Sequence, residues 1–252
     1  MASNSLMRTK IYPESDDRPA PSSDGPDGVY ARLEYSYNRQ GQTTVFTDAD
    51  QTVHEYSYDQ LGRLTDDRVP TLGAGLDGTM RRIARSYDVR GLLWKVTSHS
   101  EVTGGTVRNE VEFEYDAFGN LITDRQSHSG AVSVGTPKVQ YTYSTGAGNQ
   151  MRKISVTYPN GRVLEYIHGT THSMDDHLNR VSAEKLTGEG GNLVEYRYVG
   201  RSWQVRLAYP QPSIVCDYKK QAGQPDGDAG DPYNGYDRFG RTVDIHWSQQ
   251  AL

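Results

Sequence analysis

Along most of the chain, apolar and polar residues alternate with period two. In "VRNEVEFEY", Val107, Asn109, Val111, Phe113 and Tyr115 fall on one face and Arg108, Glu110, Glu112 and Glu114 on the other. This spacing predicts a half-buried β-strand. "KVQYTY" (Val139, Tyr141, Tyr143) and "LVEYRY" (Val194, Tyr196, Tyr198) repeat it, and strand-like runs follow at "LLWKVTS" (Leu92 to Ser98) and "RKISVTY" (Arg152 to Tyr158). Segment length and residue propensity oppose helix everywhere except a short turn at Ser173 to Arg180. The expected class is all-β, hairpin after hairpin, with tight turns along one edge and looser loops such as "HSEVTGG" and "TGEGGN" along the other.

The tight turns share a pattern. A tyrosine opening Y-[D/N]-x-x-G stands at Tyr37, Tyr58, Tyr87 and Tyr115, at intervals of 21 to 29 residues, and returns at Tyr236. Weaker copies are read at Tyr143, Tyr158 and Tyr198. A motif returning at such intervals is the mark of a repeat array with variable insertions. In Tyr58-Asp59-Gln60-Leu61-Gly62, the aspartate suits the first position of a type I turn, where its carboxylate accepts from the turn's own N–H groups. The glycine suits the left-handed position of a short bulged hairpin loop. Asp59 with Gly62, Asp88 with Gly91, Asp116 with Gly119, Asp237 with Gly240, and Gly41 after Tyr37 are therefore read as turn-makers. Tyr56 and Tyr58 share a face and are expected to stack on tyrosines of neighbouring repeats, at roughly 0.2–1 kcal/mol per cross-strand pair.

Composition sharpens this reading. The chain has 252 residues, 35% of them hydrophobic, and 18 tyrosines against 4 phenylalanines and 3 tryptophans. Tyrosine packs through its ring and keeps a wet hydroxyl, so the skew suits β surface with many half-buried positions. A net charge of -5 opposes a nucleic-acid partner. No apolar run reaches membrane-spanning length, and "MASNSLMRTK" lacks the apolar core of a secretory signal. Residues 1–29 are read as a flexible lead-in rich in Pro, Ser, Asp and Gly. Residues 30–252 are read as a single repeat domain with a long loop at 219–235 before the last copy.

"YDQLGRL", "YDVRGLL", "YDAFGNL" and "YDRFGR" resemble the Y-D-x-x-G-R-L signature of the RHS/YD-repeat family, found in bacterial polymorphic-toxin and toxin-complex proteins and in the teneurins. The resemblance implies a spiralling antiparallel sheet forming a section of a hollow shell that encloses a toxin or builds a secreted or cell-surface scaffold. It implies partners of the same kind, namely other shell segments or an encapsulated toxin domain, with carbohydrate binding as the alternative. The repeats of that family are not enzymatic, and no cofactor is implied. Family shells are several times longer, so the chain reads as a fragment whose open sheet edges favour self-association. The self-cleaving aspartate pair of the family is not matched: Asp231-Pro232-Tyr233-Asn234-Gly235 has its glycine one residue late and has no second copy.

Other constellations read as structural. His168, His172, Asp175, Asp176 and His177 have metal-ligand chemistry but no helical frame that aims the histidines together, so a polar loop is expected. Asp226 to Asp231 lacks the distal glutamate of a calcium loop. Cys216, in "SIVCDY", is expected to be a buried inert thiol. Trp94, Trp203 and Trp247 are the stacking residues a sugar-binding surface would use.

Overall fold

The computed structural model describes residues 6–12, 31–145, 151–218, 235–237 and 239–249. Its contacts gather into two compact units, one of Met1–Tyr115 with Thr123–Lys138 and one of Asp116–Ile122 with Val139–Leu252. Both are all-β, and neighbouring strands run antiparallel as the alternation predicts.

The first unit begins with β1 (Thr9–Ile11), β2 (Arg32–Tyr37), β3 (Thr43–Thr47) and β4 (Val53–Tyr58). It continues through β5 (Leu64–Thr71), β6 (Arg82–Tyr87), β7 (Leu93–His99) and β8 (Val107–Tyr115). Each strand pairs with the next. Strand β1 lies inside the stretch expected to be a lead-in, and its residues Thr9 to Ile11 pair with Glu34 to Arg32. Most of β9 (Leu121–Ser127) belongs here too.

The second unit runs through β10 (Lys138–Tyr143), β11 (Lys153–Thr157), β12 (Val163–Ile167), α1 (Met174–His177), β13 (Ala183–Leu186), β14 (Asn192–Val199), β15 (Trp203–Tyr209), β16 (Ile214–Asp217) and β17 (His246–Gln249). Its strands also pair in succession. The single-turn helix α1 sits where the sequence allowed a short turn, with the Ser173 side chain accepting from the Asp176 amide as its N-cap.

The two units bury different chemistry. Among the described residues, the buried hydrophobic side chains (Val156, Ala183, Leu186, Val194, Val205, Ala208, Val215, Cys216) all lie in the second unit. In the first unit the buried side chains among the described residues are polar: Thr52, Thr97, Ser98, Glu110 and Thr123. Strand β8 shows how this arises. Its most buried residue lies on the charged face: Glu110 is 5% exposed. Thr97 donates to Glu110 Oε2 at 2.8 Å, Lys95 Nζ lies 3.0 Å from Oε1, and the Val132 amide donates to Oε1 at 3.0 Å. Burial works against this carboxylate, but the bonds from Thr97, Lys95 and Val132 outweigh it and hold Glu110 below the usual carboxylate range. Lys95 also reaches Glu112, and Arg125 bridges Glu112 and Glu114, so the three glutamates form a charged ladder.

Candidate functional site

The repeated turn is built the same way each time. The Asp59 amide donates to the Arg63 carbonyl at 3.0 Å, and the Gly62 amide donates to the Asp59 carbonyl at 3.0 Å. Asp59 Oδ1 accepts from the Leu61 and Arg63 amides, both at 2.9 Å. Gly62 has φ 81°, a left-handed conformation in which a Cβ is strained, and an added Cβ would also lie 3.1 Å from Gln42 Nε2. Asp88, Asp116 and Asp237 accept from the amides two and four residues on in the same way. Asn38 does so after Tyr37, with Gly41 closing the turn.

These bonds fix the charge state of the aspartates. The Arg63 amide and guanidinium hold the Asp59 carboxyl below its ordinary range, and the Arg241 amide and guanidinium do the same for Asp237. At Asp88 and Asp116, desolvation opposes the charge, and the amides and side chains of Leu92, Arg90 and Asn120 overcome it. In Asp59, Asp88, Asp116 and Asp237 both carboxylate oxygens accept hydrogen bonds from within their own turn.

The motif tyrosine does something the alternation did not reveal. A register shift falls just before it in each hairpin, at Ser36/Tyr37, Ser57/Tyr58 and Ser86/Tyr87. Tyr37 therefore faces Thr43, Tyr58 faces Leu64 and Tyr87 faces Leu93. The hydroxyl of each following tyrosine donates to the carbonyl of that facing residue one repeat back: Tyr58 to Thr43 at 2.7 Å, Tyr87 to Leu64 at 2.9 Å, Tyr115 to Leu93 at 2.8 Å. Tyr143 donates likewise to Leu121 at 3.0 Å. At the ends, Tyr37 reaches the Met7 carbonyl and Tyr236 the Gln204 carbonyl, both at 2.7 Å.

Stacking between motif tyrosines is thus replaced by a hydrogen bond and a cation. Arg63, bound to Asp59 Oδ2 at 2.7 Å, lies 4.4 Å from the ring centroid of Tyr87 in the next repeat. Arg180 covers Tyr198 at 4.9 Å. Ring stacking does occur along single strands, between Tyr35 and Tyr37 and between His54 and Tyr56, and between Tyr218 and Tyr236 at 5.3 Å. The signal for the tyrosine bond lay in the sequence, in a tyrosine placed always directly before the turn residue; only the bulge shows where its hydroxyl arrives.

One weak copy shifts register. In "YPNGR" it is Thr157 that takes the tyrosine position and Tyr158 that takes the aspartate position. The Tyr158 amide donates to Arg162 O and the Gly161 amide to Tyr158 O, both at 2.9 Å. The side-chain oxygen of Asn160 accepts from the Arg162 amide at 3.1 Å in place of the missing carboxylate.

Asp176 is held by Arg152 at 2.6 Å and accepts from the His172 amide, while Asp175 is bound by Arg180. No group of three or more metal-ligating side chains is assembled among the described residues. Cys216 is 1% exposed, and burial pushes its thiol up. Trp203 packs against Tyr236 at 5.6 Å, Lys95 lies 5.0 Å from the Trp94 ring, and Trp247 is half exposed on β17. Asp226 to Asp231, Pro232 to Asn234, and most of the lead-in and of the 219–235 loop lie outside the described residues.

No protein-family model and no curated protein matches the chain. Among solved structures, a TcdB2-TccC3-TEV crystal structure matches 88% of the chain at 11% identity with a TM-score of 0.49. A Photorhabdus luminescens Tc holotoxin pore matches 87% at 11% identity and the same TM-score. TcdB2-TccC3 without its hypervariable C-terminal region matches 81% at 16% identity, with a TM-score of 0.30. Its structural neighbours are toxin-complex chains. The chain spans 11% of the length of each of the first two.

Proposed function

We propose that the chain is a non-enzymatic stretch of RHS-type β wall, whose work is to build a continuous protein surface around or beside another polypeptide. The observation that carries this reading is the tyrosine bond repeated at Tyr58, Tyr87, Tyr115 and Tyr143, which ties each hairpin to the one before it. The conspicuous acids of the motif are consumed as turn acceptors, and the Asp175–Asp176 pair as partners of arginines. Repetition here serves extension, with each unit contacting its neighbours. The wall's partners are further segments of the same repeat and an enclosed toxin domain, in a secreted or cell-surface assembly.

The test is co-expression with the polypeptides encoded on either side of the chain, followed by limited proteolysis. The wall reading expects an adjoining segment to resist protease only when the chain is present. Equal digestion with and without it overturns the reading.

A further inference from the structure

The Tyr158 turn is the one described copy that places an aromatic ring in the aspartate position, and it borders a cavity of about 590 Å³. Losing the carboxylate gives up a turn acceptor that Asp59, Asp88, Asp116 and Asp237 all keep. Departures of this kind from a repeat's own chemistry point to a use for the substituted side chain. The cavity lies wholly within the second unit and is lined by Tyr158, Leu164, Leu186, Leu193, Arg162 and Glu184. Its volume falls in the range of small-ligand sites, which runs from about 300 to 1,000 Å³.

Its polar groups sit at opposite ends. Leu164 faces Leu186 and Tyr166 faces Glu184 across the β12–β13 pair, so the two leucines form an apolar middle with Glu184 one step to one side. Arg162 precedes Leu164 by two residues and lies one step to the other side. Strand geometry puts the Arg162 and Glu184 Cα atoms about 14 Å apart. Among the described residues neither makes an ion pair. Glu184 uses Oε1 to accept from the Tyr196 hydroxyl at 3.0 Å, leaving Oε2 for a second donor. Tyr158 and Leu193 are substantially exposed and wall the cleft.

We propose that this cleft binds a short apolar peptide with free ends, its ammonium at Glu184, its carboxylate at Arg162 and its side chains on Leu164, Leu186 and the Tyr158 ring. An extended tripeptide spans about 10 Å, and the arginine and glutamate side chains cover the remaining distance. Unpaired charges of opposite sign at the two ends of an apolar floor give the site both its ligand class and the ligand's direction.

Trileucine, titrated into the full chain by calorimetry, tests this against N-acetyl-trileucine amide, which has the same side chains and no charged ends. Saturable binding of trileucine is expected, with the capped peptide about tenfold weaker or worse. Arg162→Gln and Glu184→Gln are each expected to weaken trileucine about tenfold and to leave the capped peptide unaffected. Tyr158→Asp restores the repeat's own turn acid, so it should keep the melting temperature and lose trileucine affinity. Absence of saturation at millimolar trileucine overturns the proposal. So does equal affinity for the free and capped peptides, or wild-type binding by variants whose melting temperatures are intact.

Discussion

Tyr87 shows how much one side chain of the repeat is asked to do. Its hydroxyl donates to Leu64 O, and its ring lies under Arg63, which is itself bound to Asp59. One tyrosine therefore reads both the backbone and the turn of the preceding repeat, and the Arg after the glycine links its own aspartate to the next tyrosine. Where that Arg is absent, the aspartate finds another partner: Arg90 at Asp88 and Asn120 at Asp116. Removing only the hydroxyl isolates one part of this arrangement. Tyr87→Phe is expected to cost about 0.5–1.5 kcal/mol, a typical net hydrogen bond. Tyr87→Leu loses the cation–π contact as well, for about 0.5–1 kcal/mol more. Urea denaturation followed by far-UV dichroism measures both. Equal stability of wild type and Tyr87→Phe would show that the bond to Leu64 is not what joins the repeats.

At the scale of strands and turns, much was legible. The alternating runs "VRNEVEFEY" and "KVQYTY" coincide with β8 and β10, and the Asp–Gly spacing locates the turns at Asp59, Asp88, Asp116 and Asp237. These features are local: period two follows from strand geometry, and the acceptor carboxylate and left-handed glycine follow from the turn itself. Which face of a strand is covered was not legible, because alternation gives a period and carries no record of what lies above either face. Nor was the register shift before each tyrosine, which depends on pairing with a strand elsewhere in the chain. Glu110 is the sharpest case, an acid on the polar side of an alternating strand that is among the most buried residues of its unit. Glu110→Ala strips a hydrogen bond from Thr97, an ion pair from Lys95 and the anchor of the Val132 amide. Its expected cost is about 2–4 kcal/mol, since buried donors are left behind. Glu110→Gln keeps an acceptor for Thr97 and Val132 and should lose less. A Glu110→Ala protein within about 0.5 kcal/mol of wild type in urea denaturation would mean the charged ladder adds nothing to stability.

Across the whole molecule, the two units should respond differently to acid. The first relies on carboxylates held ionised in the fold: Asp59 and Asp88 in its turns, and Glu110 and Glu114 in its ladder, all below their ordinary range. A carboxyl whose folded value is depressed contributes stability above its unfolded value, and that contribution disappears as pH falls through the folded value. For these groups the window opens below the ordinary carboxylate range, near pH 4. The second unit also holds depressed acids, Asp176 through Arg152 and Glu165 through Thr187 and Lys185 among them. The same unit, however, buries Val156, Leu186, Val194, Val205, Val215 and Cys216, whose burial does not depend on protons. The first unit has no comparable apolar reserve among its described residues, because what it buries most deeply is Thr52, Thr97, Ser98, Glu110 and Thr123. Brief deuterium labelling of protein equilibrated between pH 7 and pH 2.5, corrected for the pH dependence of intrinsic exchange, separates the units peptide by peptide. Amides of β7 and β8 should lose protection first as pH falls, while those of β15 and β16 around Val215 and Cys216 persist to lower pH. Simultaneous loss in both units, or earlier loss in β15 and β16, would mean that the buried carboxylate ladder does not govern the acid stability of the first unit.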